Sequence, residues 1–162
     1  MICINKLSTP LTAALMAFTL CACSALGKEP VPPEMDMTGR TCNIIYEGKS
    51  SQASITNALG TTSISFTKPD SLEGIIYTFD QNGSSVTFGD LSFSNDSGLL
   101  SDRALPQLLH DILSDAAREN ALTSDSCSFS GKLHGDNYSI VCREDGKITE
   151  ISYKGLRVTF EE

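Results

Sequence analysis

Residues 105–120 read LPQLLHDILSDAAREN, the one stretch of the chain in which apolar residues recur at helical rather than strand spacing. The apolar residues of the stretch, which fall on one helical stripe, are Leu105, Leu108, Leu109, Ile112, Leu113, Ala116 and Ala117. Pro106 suits the first helical turn, where its missing N–H costs nothing, and Asn120 is an acceptable end. The stretch predicts one amphipathic helix that must bury its stripe against the rest of the chain.

Short alternating segments rich in β-branched and aromatic residues precede this helix. TCNIIYEG, SQASITNALG and TTSISFTK predict three strands between residues 41 and 68. A turn at residues 80–83 predicts a hairpin with Tyr77 opposite Val86, because the apolar faces of its two strands coincide in that register. After this hairpin the apolar positions change from even to odd numbers, so a bulge or bend is expected at Gly89-Asp90.

Four more strands are predicted after the helix, between residues 127 and 161, with the sequences CSFSGKL, NYSIVCRE, KITEISY and GLRVTFE. The turn HGDN predicts Leu133 opposite Tyr138, and the turn EDGK predicts Ile140 opposite Ile151. In this register one face of the four strands collects ten apolar residues. They are Phe129, Leu133, Tyr138, Ile140, Cys142, Ile151, Tyr153, Leu156, Val158 and Phe160.

These patterns predict an α+β fold in which a curved antiparallel β-sheet of about nine strands, a half-barrel, wraps around one amphipathic helix. A chain of 162 residues with 40% apolar composition is long enough for one core, so residues 41–162 are expected to form a single domain.

The start of the chain has the pattern of a bacterial lipoprotein signal. Residues 1–22 contain Lys6 and then an apolar run too short to span a membrane, which is typical of a secretory signal peptide. The letters LCAC at residues 20–23 resemble a lipobox, and the resemblance implies that Cys23 is the lipid-modified first residue of the mature protein. An ordinary signal peptide without a lipid is the alternative. The proline-rich composition of residues 23–40 predicts a flexible tether.

The chain is acidic, with 12 Lys and Arg residues against 20 Asp and Glu residues. Lys6 is the only charged residue of the predicted signal peptide. Removal of the signal peptide therefore changes the net charge of −8 by −1, to −9. This charge disfavours nucleic acid and anionic lipid head groups as partners. It suits the solvated surface of an exported protein.

Residues with catalytic or metal-binding potential do not form a recognisable motif. His110 and His134 lack a second ligand at metal-binding spacing, and a surface position is expected for each. We therefore expect no metal, no cofactor and no enzymatic activity. Two interpretations of Cys42, Cys127 and Cys142 stay open, namely buried free thiols and a disulfide between the last two.

The order of elements resembles the half-barrel of the lipoprotein-carrier superfamily, which includes the LolA-like, LolB-like and LppX-like lipoproteins. The matching landmarks are the segment from Ile64 through Pro69 to Gly74, the helix beginning at Leu105, and the closing segment DGKITEISYKGLRVTF. The resemblance covers most of residues 41–162. It implies a concave apolar sheet that holds acyl chains.

The sequence thus predicts a non-enzymatic lipoprotein that is extracytoplasmic and anchored to the bacterial cell membrane through Cys23. It is expected to bind a lipid or other apolar ligand on the concave face of the sheet. The predicted ligand-binding residues are Tyr77, Phe88, Leu109, Tyr138, Ile140, Ile151 and Tyr153. The alternative is an interaction or accessory module that contacts an envelope protein and whose filled core leaves no ligand site.

Overall fold

The computed structural model describes residues 30–95, 100–125 and 128–161 of the chain. Within these residues lie one helix, α1 (Leu105–Ala116), and eleven strands. The strands are β1 (Met37–Tyr46), β2 (Lys49–Ala58), β3 (Thr61–Lys68), β4 (Ile75–Asp80), β5 (Gly83–Phe88), β6 (Leu91–Asn95), β7 (Thr123–Asp125), β8 (Ser128–Leu133), β9 (Asp136–Cys142), β10 (Ile148–Tyr153) and β11 (Leu156–Phe160).

The described strands form one open antiparallel sheet in the order β6-β5-β4-β3-β2-β1-β11-β10-β9-β8-β7. The first and last strands meet in the middle, where Ile44 of β1 pairs with Val158 of β11. The prediction of an antiparallel sheet with one helix is confirmed, but the described sheet has eleven strands rather than about nine. One strand that the sequence did not predict is β7, because its three exposed polar residues carry no apolar alternation.

The helix packs on one face of the sheet, which we call the inner face. Leu109, Ile112 and Leu113 on the predicted stripe are completely buried. They lie in one apolar core together with inner-face residues of the central strands, such as Ile55 and Val158. The predicted stripe is confirmed from Leu108 to Ala116 as the side of α1 that faces the core. The helix ends at Ala116 rather than at Asn120, and Ala117 is exposed.

Two predicted strand registers are confirmed, since Tyr77 lies opposite Val86 and Ile140 lies opposite Ile151. The expected bulge at Gly89-Asp90 is wrong. These two residues form a hairpin turn instead, which pairs Phe88 with Leu91. A two-residue turn pairs residue i with i+3, and this alone changes the apolar positions from even to odd numbers.

The predicted pairing of Leu133 with Tyr138 is also wrong, by two residues. Leu133 lies opposite Asp136, and Tyr138 lies opposite Gly131. The turn consists of two residues rather than four, and His134 has the positive φ of 50° that such a turn requires. The shift has a packing reason, because a Cβ atom at position 131 would overlap the ring of Tyr138.

The folded part of the chain begins before residue 41. Met37 is the first residue of β1 and is only 5% exposed, so the last four residues of the predicted tether are strand. The N–H of Glu34 donates to the carbonyl of Gly146 at 2.8 Å, and the side-chain amide of Asn57 donates to the carbonyl of Met35 at 2.6 Å. The predicted signal peptide and Cys23 lie outside the described residues.

Candidate functional site

Large apolar side chains lie exposed on the inner face near one edge of the sheet. Phe88 is 56% exposed, Leu91 is 60% exposed and Phe93 is 63% exposed. They are neighbours, because Phe88 pairs with Leu91 and Phe93 pairs with Val86 between β5 and β6. We call the inner-face side chains of β4 to β6 the open face, and its apolar members are Ile75, Tyr77, Val86, Phe88, Leu91 and Phe93.

The open face begins where the cover provided by α1 ends. The imidazole of His110 stacks on the ring of Phe79 with a centroid distance of 4.7 Å, and Phe79 is only 2% exposed. Two residues before Phe79 on β4, the ring of Tyr77 is half-buried against Phe66, with a centroid distance of 6.0 Å. A helix of 12 residues is about 18 Å long, so it covers only part of a sheet of this width.

Carboxylate residues lie at both ends of the open face. Residues 61–95 contain one cation and four acids, which gives +1 − 4 = −3 for this part of the chain. The charged residues are Lys68, Asp70, Glu73, Asp80 and Asp90. Because Ile75, Phe88 and Leu91 pair side by side, Glu73 and Asp90 lie at the same end of the face, whereas Asp80 lies at the other end. Such a face suits an apolar group with cationic neighbours.

Most of the predicted ligand-binding residues lie in the closed core instead. Their exposed fractions are 0% for Leu109, Ile140 and Ile151, 1% for Tyr138 and 5% for Tyr153. The structure brings the remaining two together, since Tyr77 and Phe88 both lie on the open face. Sequence reasoning missed Leu91 and Phe93 as members of this group. Recognition of Gly89-Asp90 as a two-residue turn would have placed both residues on the open face.

The two buried tyrosines use their hydroxyl groups inside the fold. The hydroxyl of Tyr138 donates to Asp115 Oδ2 on the helix at 2.7 Å, and that of Tyr153 donates to the carbonyl of Leu133 at 3.2 Å. Burial, and then the hydrogen bond to Asp115, raises the pKa of Tyr138 above its ordinary value. Both side chains therefore stabilise the core rather than present a polar group to a ligand.

A small polar cluster connects the helix to β2 and β3. The hydroxyl of Thr62 donates to Asn57 Oδ1 at 2.8 Å, so its oxygen is left to accept from the Nδ1–H of His110 at 3.0 Å. Burial lowers the pKa of His110 below its ordinary value of 6.5, and the neighbouring Asp111 opposes this shift. The expected surface position of His110 is wrong, because the ring also stacks on Phe79.

The described cysteines lie in the core. Cys42 is fully buried with its Sγ 3.5 Å from the carbonyl of Ala53, and burial raises the pKa of its thiol to about 12. At neutral pH the reactive thiolate is therefore negligible. Cys142 is 5% exposed, and Cys127 lies outside the described residues.

Among residues 30–95, 100–125 and 128–161 no cluster of three or more His, Cys, Asp or Glu side chains is arranged to hold a metal ion. No helix in the described part of the chain is long and apolar enough to cross a membrane. No protein-family model matches the chain, and no curated protein matches it significantly in sequence.

Proposed function

We propose that this protein is a lipoprotein of the bacterial cell envelope whose folded domain is a non-enzymatic interaction module. Its docking surface is the open face. The observation that carries the proposal is the exposure of Phe88, Leu91 and Phe93, each more than half exposed and all adjacent. Contiguous exposed apolar side chains are costly in water and commonly mark a surface that another molecule covers.

The filled core supports an interaction module over an enclosed ligand cavity. Leu109 of the helix and Ile140 and Ile151 of the sheet occupy the centre of the inner face and expose no surface. An apolar ligand at this position would have to displace α1. The space for a partner is therefore at the edge of the sheet, where an open surface suits a polypeptide.

We further propose that the sheet curves around α1 as a half-barrel. From the helix, His110 reaches Phe79 on β4 at a centroid distance of 4.7 Å, and Asp115 reaches Tyr138 on β9 at 2.7 Å. In a flat sheet β4 and β9 would be about 29 Å apart, six strand spacings. The two helical residues are only about 7.5 Å apart along the axis. Curvature is what brings both strands within reach of one helix.

The anchor is the second part of the proposal. The lipobox-like residues 20–23 support acylation of Cys23 and attachment of the domain to a membrane. The acidic composition disfavours nucleic acid as a partner. The partner would then be another component of the envelope.

A second candidate function is retention of a lipid or another apolar ligand on the same open face. The specific observation in its favour is that Tyr77 and Phe88, two of the predicted ligand-binding residues, lie next to the exposed Leu91 and Phe93. An acyl chain lying along these side chains would be covered on one side only. This is why we rank a polypeptide partner first.

Photo-crosslinking in living bacteria tests the proposal. A benzophenone amino acid replaces Phe93 in the full chain, and in a matched control it replaces Ile45, which is 50% exposed on the outer face of β1. The proposal predicts discrete protein adducts from position 93 and none from position 45. Adducts of lipid mass alone would favour the second candidate. The absence of adducts at position 93, or equal adducts at both positions, would contradict both.

A further inference from the structure

We propose that the partner docks as an extended segment of polypeptide that adds to β6 as a further strand, with apolar side chains at alternate positions and basic residues at both ends. This inference rests on the proposed function, since it specifies what the open face binds and how. It is carried by the backbone of the edge strand, the side chains next to it and the charges around them.

The backbone of β6 is ready to pair. Because the Gly89-Asp90 turn has two residues, Phe88 and Leu91 form the hydrogen-bonded pair that closes the hairpin. Hydrogen-bonded and non-hydrogen-bonded pairs alternate along an antiparallel ladder, so the N–H and C=O groups of Ser92 and Ser94 point away from β5. They are the groups that an incoming strand would use.

The described β6 also lacks the features that usually protect an edge strand. Its five residues, LSFSN, contain no charge and no proline, and its pairing with β5 has no bulge. The opposite edge strand, β7, has only three residues and ends in Asp125. The two edges thus differ, and the unprotected one is the one that borders the open face.

The side chains of β6 set the pattern that a partner must have. Leu91 and Phe93 point to the inner face, whereas Ser92 and Ser94 point to the outer face. A strand beside β6 would place every second side chain next to Leu91 and Phe93, where an apolar residue is favoured. Its other side chains would lie in water beside the serines. Alternating apolar and polar residues are therefore expected in the partner.

The charges favour basic flanks. Asp90 and Glu73 lie at one end of the open face and Asp80 lies at the other, and Lys68 is the one cation in residues 61–95. Lys or Arg residues on either side of the apolar core of the partner would meet these carboxylates. Such charge pairs at the rim of an interface fix the register and raise the association rate.

The same features disfavour a second copy of this chain as the occupant. Two copies would bring the same net charge of −3 from residues 61–95 to the contact. The exposed parts of Phe88, Leu91 and Phe93 amount to only about 300–400 Å², against about 800 Å² per partner in stable complexes. A basic strand supplies opposite charge and a row of backbone hydrogen bonds, which compensate for the small apolar area.

The test is fluorescence anisotropy with the full chain held in phosphatidylcholine nanodiscs. The probe is a labelled peptide, Lys-Arg-Val-Thr-Val-Thr-Val-Arg-Lys. Two control peptides have Glu in place of the basic residues or N-methyl groups on alternate amides. The protein variants are Phe93→Ser, Ser92→Pro, which removes an N–H that points away from β5, and the outer-face control Ile45→Ser. Circular dichroism verifies that each variant is folded.

Saturable binding of the basic peptide is expected, with Kd raised at least tenfold by N-methylation, by Glu flanks, by Phe93→Ser and by Ser92→Pro, and unchanged by Ile45→Ser. The N-methylated peptide tests strand addition without altering the protein. Equal binding of the N-methylated peptide would overturn strand addition but leave the open face as a docking surface. Failure of all peptides, together with protein crosslinks at position 93, would likewise overturn the inference alone. Displacement of the peptide by free lipid, or self-association abolished by Phe93→Ser, would overturn the choice of occupant.

Discussion

At the scale of single residues, backbone conformation and burial decide how a side chain affects the stability of the fold. Leu59 is fully exposed and has a φ of 52°, in the left-handed region that leucine rarely adopts. It forms a two-residue turn with Gly60, whose φ is 77°. The pair Leu-Gly occupies a turn in which Asn-Gly is the favoured combination.

Replacement of Leu59 should therefore stabilise the protein. We expect Leu59→Asn to raise the free energy of unfolding by about 0.5–1 kcal/mol, because asparagine tolerates a positive φ and no packing is lost. The matched control is Gly60→Ala, where an added Cβ would have open space but an unfavourable φ. It should lower the free energy of unfolding by about 1 kcal/mol. Urea denaturation measures both, and a destabilised Leu59→Asn would show that the exposed leucine makes a contact we have not identified.

His110 gives the stability a defined pH dependence. Its pKa is lowered by burial, so the unfolded chain takes up the proton first as the pH falls through 6.5. Its stabilising contribution is complete above pH 6.5 and decreases below it, until the lowered pKa is reached. We expect the free energy of unfolding to decrease from pH 7 to pH 5, with a shallower slope in His110→Gln. Parallel slopes for wild type and His110→Gln in urea titrations would refute this.

At the scale of elements, the sequence predicted periodicity better than turn length. The stripe of α1 and the register of β4 with β5 follow from local apolar spacing, and both are confirmed. The turn at Gly89-Asp90 was mistaken for a bulge, because either one changes the parity of the apolar positions. The pairing of Gly131 with Tyr138 depends on the space that a missing side chain leaves, which is a tertiary property.

The packing of the helix predicts a large difference between two leucines. Leu109 of α1 is fully buried against the inner face, whereas Leu91 on the open face is 60% exposed. We expect Leu109→Ala to lower the free energy of unfolding by about 2–5 kcal/mol and Leu91→Ala by less than about 1 kcal/mol. The two variants make the same side-chain truncation, and the difference in burial is expected to outweigh the smaller difference in the helix and strand propensities of alanine. Chemical denaturation measures both losses. Equal losses would mean that α1 is not docked on the inner face.

At the scale of the whole molecule, the described sheet is wider than the one helix that covers its inner face. Of the residues on the open face, only Tyr77 and Phe88 were predicted from the sequence. Apolar alternation identifies the inner face but does not show which part of it α1 covers. That depends on the length and the position of the helix. Leu109 and Ile151 satisfy the same alternation and lie in the closed core.

Lipid attachment is a prediction for the chain as a whole. If Cys23 carries the lipid, Cys23→Ala should accumulate as an unprocessed precursor without incorporated palmitate. The matched control Cys21→Ala should be processed and should partition into the detergent phase like wild type. Metabolic labelling with radioactive palmitate and phase separation provide the two readouts. Labelled Cys23→Ala protein, or wild type in the aqueous phase, would exclude this anchor.

The central claim is that α1 covers one part of the inner face and leaves β4 to β6 open, and tryptophan fluorescence tests it most directly. The chain contains no tryptophan, so a single introduced indole is the sole reporter. We predict that acrylamide readily quenches Phe93→Trp, which replaces a side chain that is 63% exposed. It should barely quench Phe66→Trp, at an inner-face position that is 3% exposed. Equal protection of both indoles in the folded protein would contradict the account, because it would mean that the open face is closed.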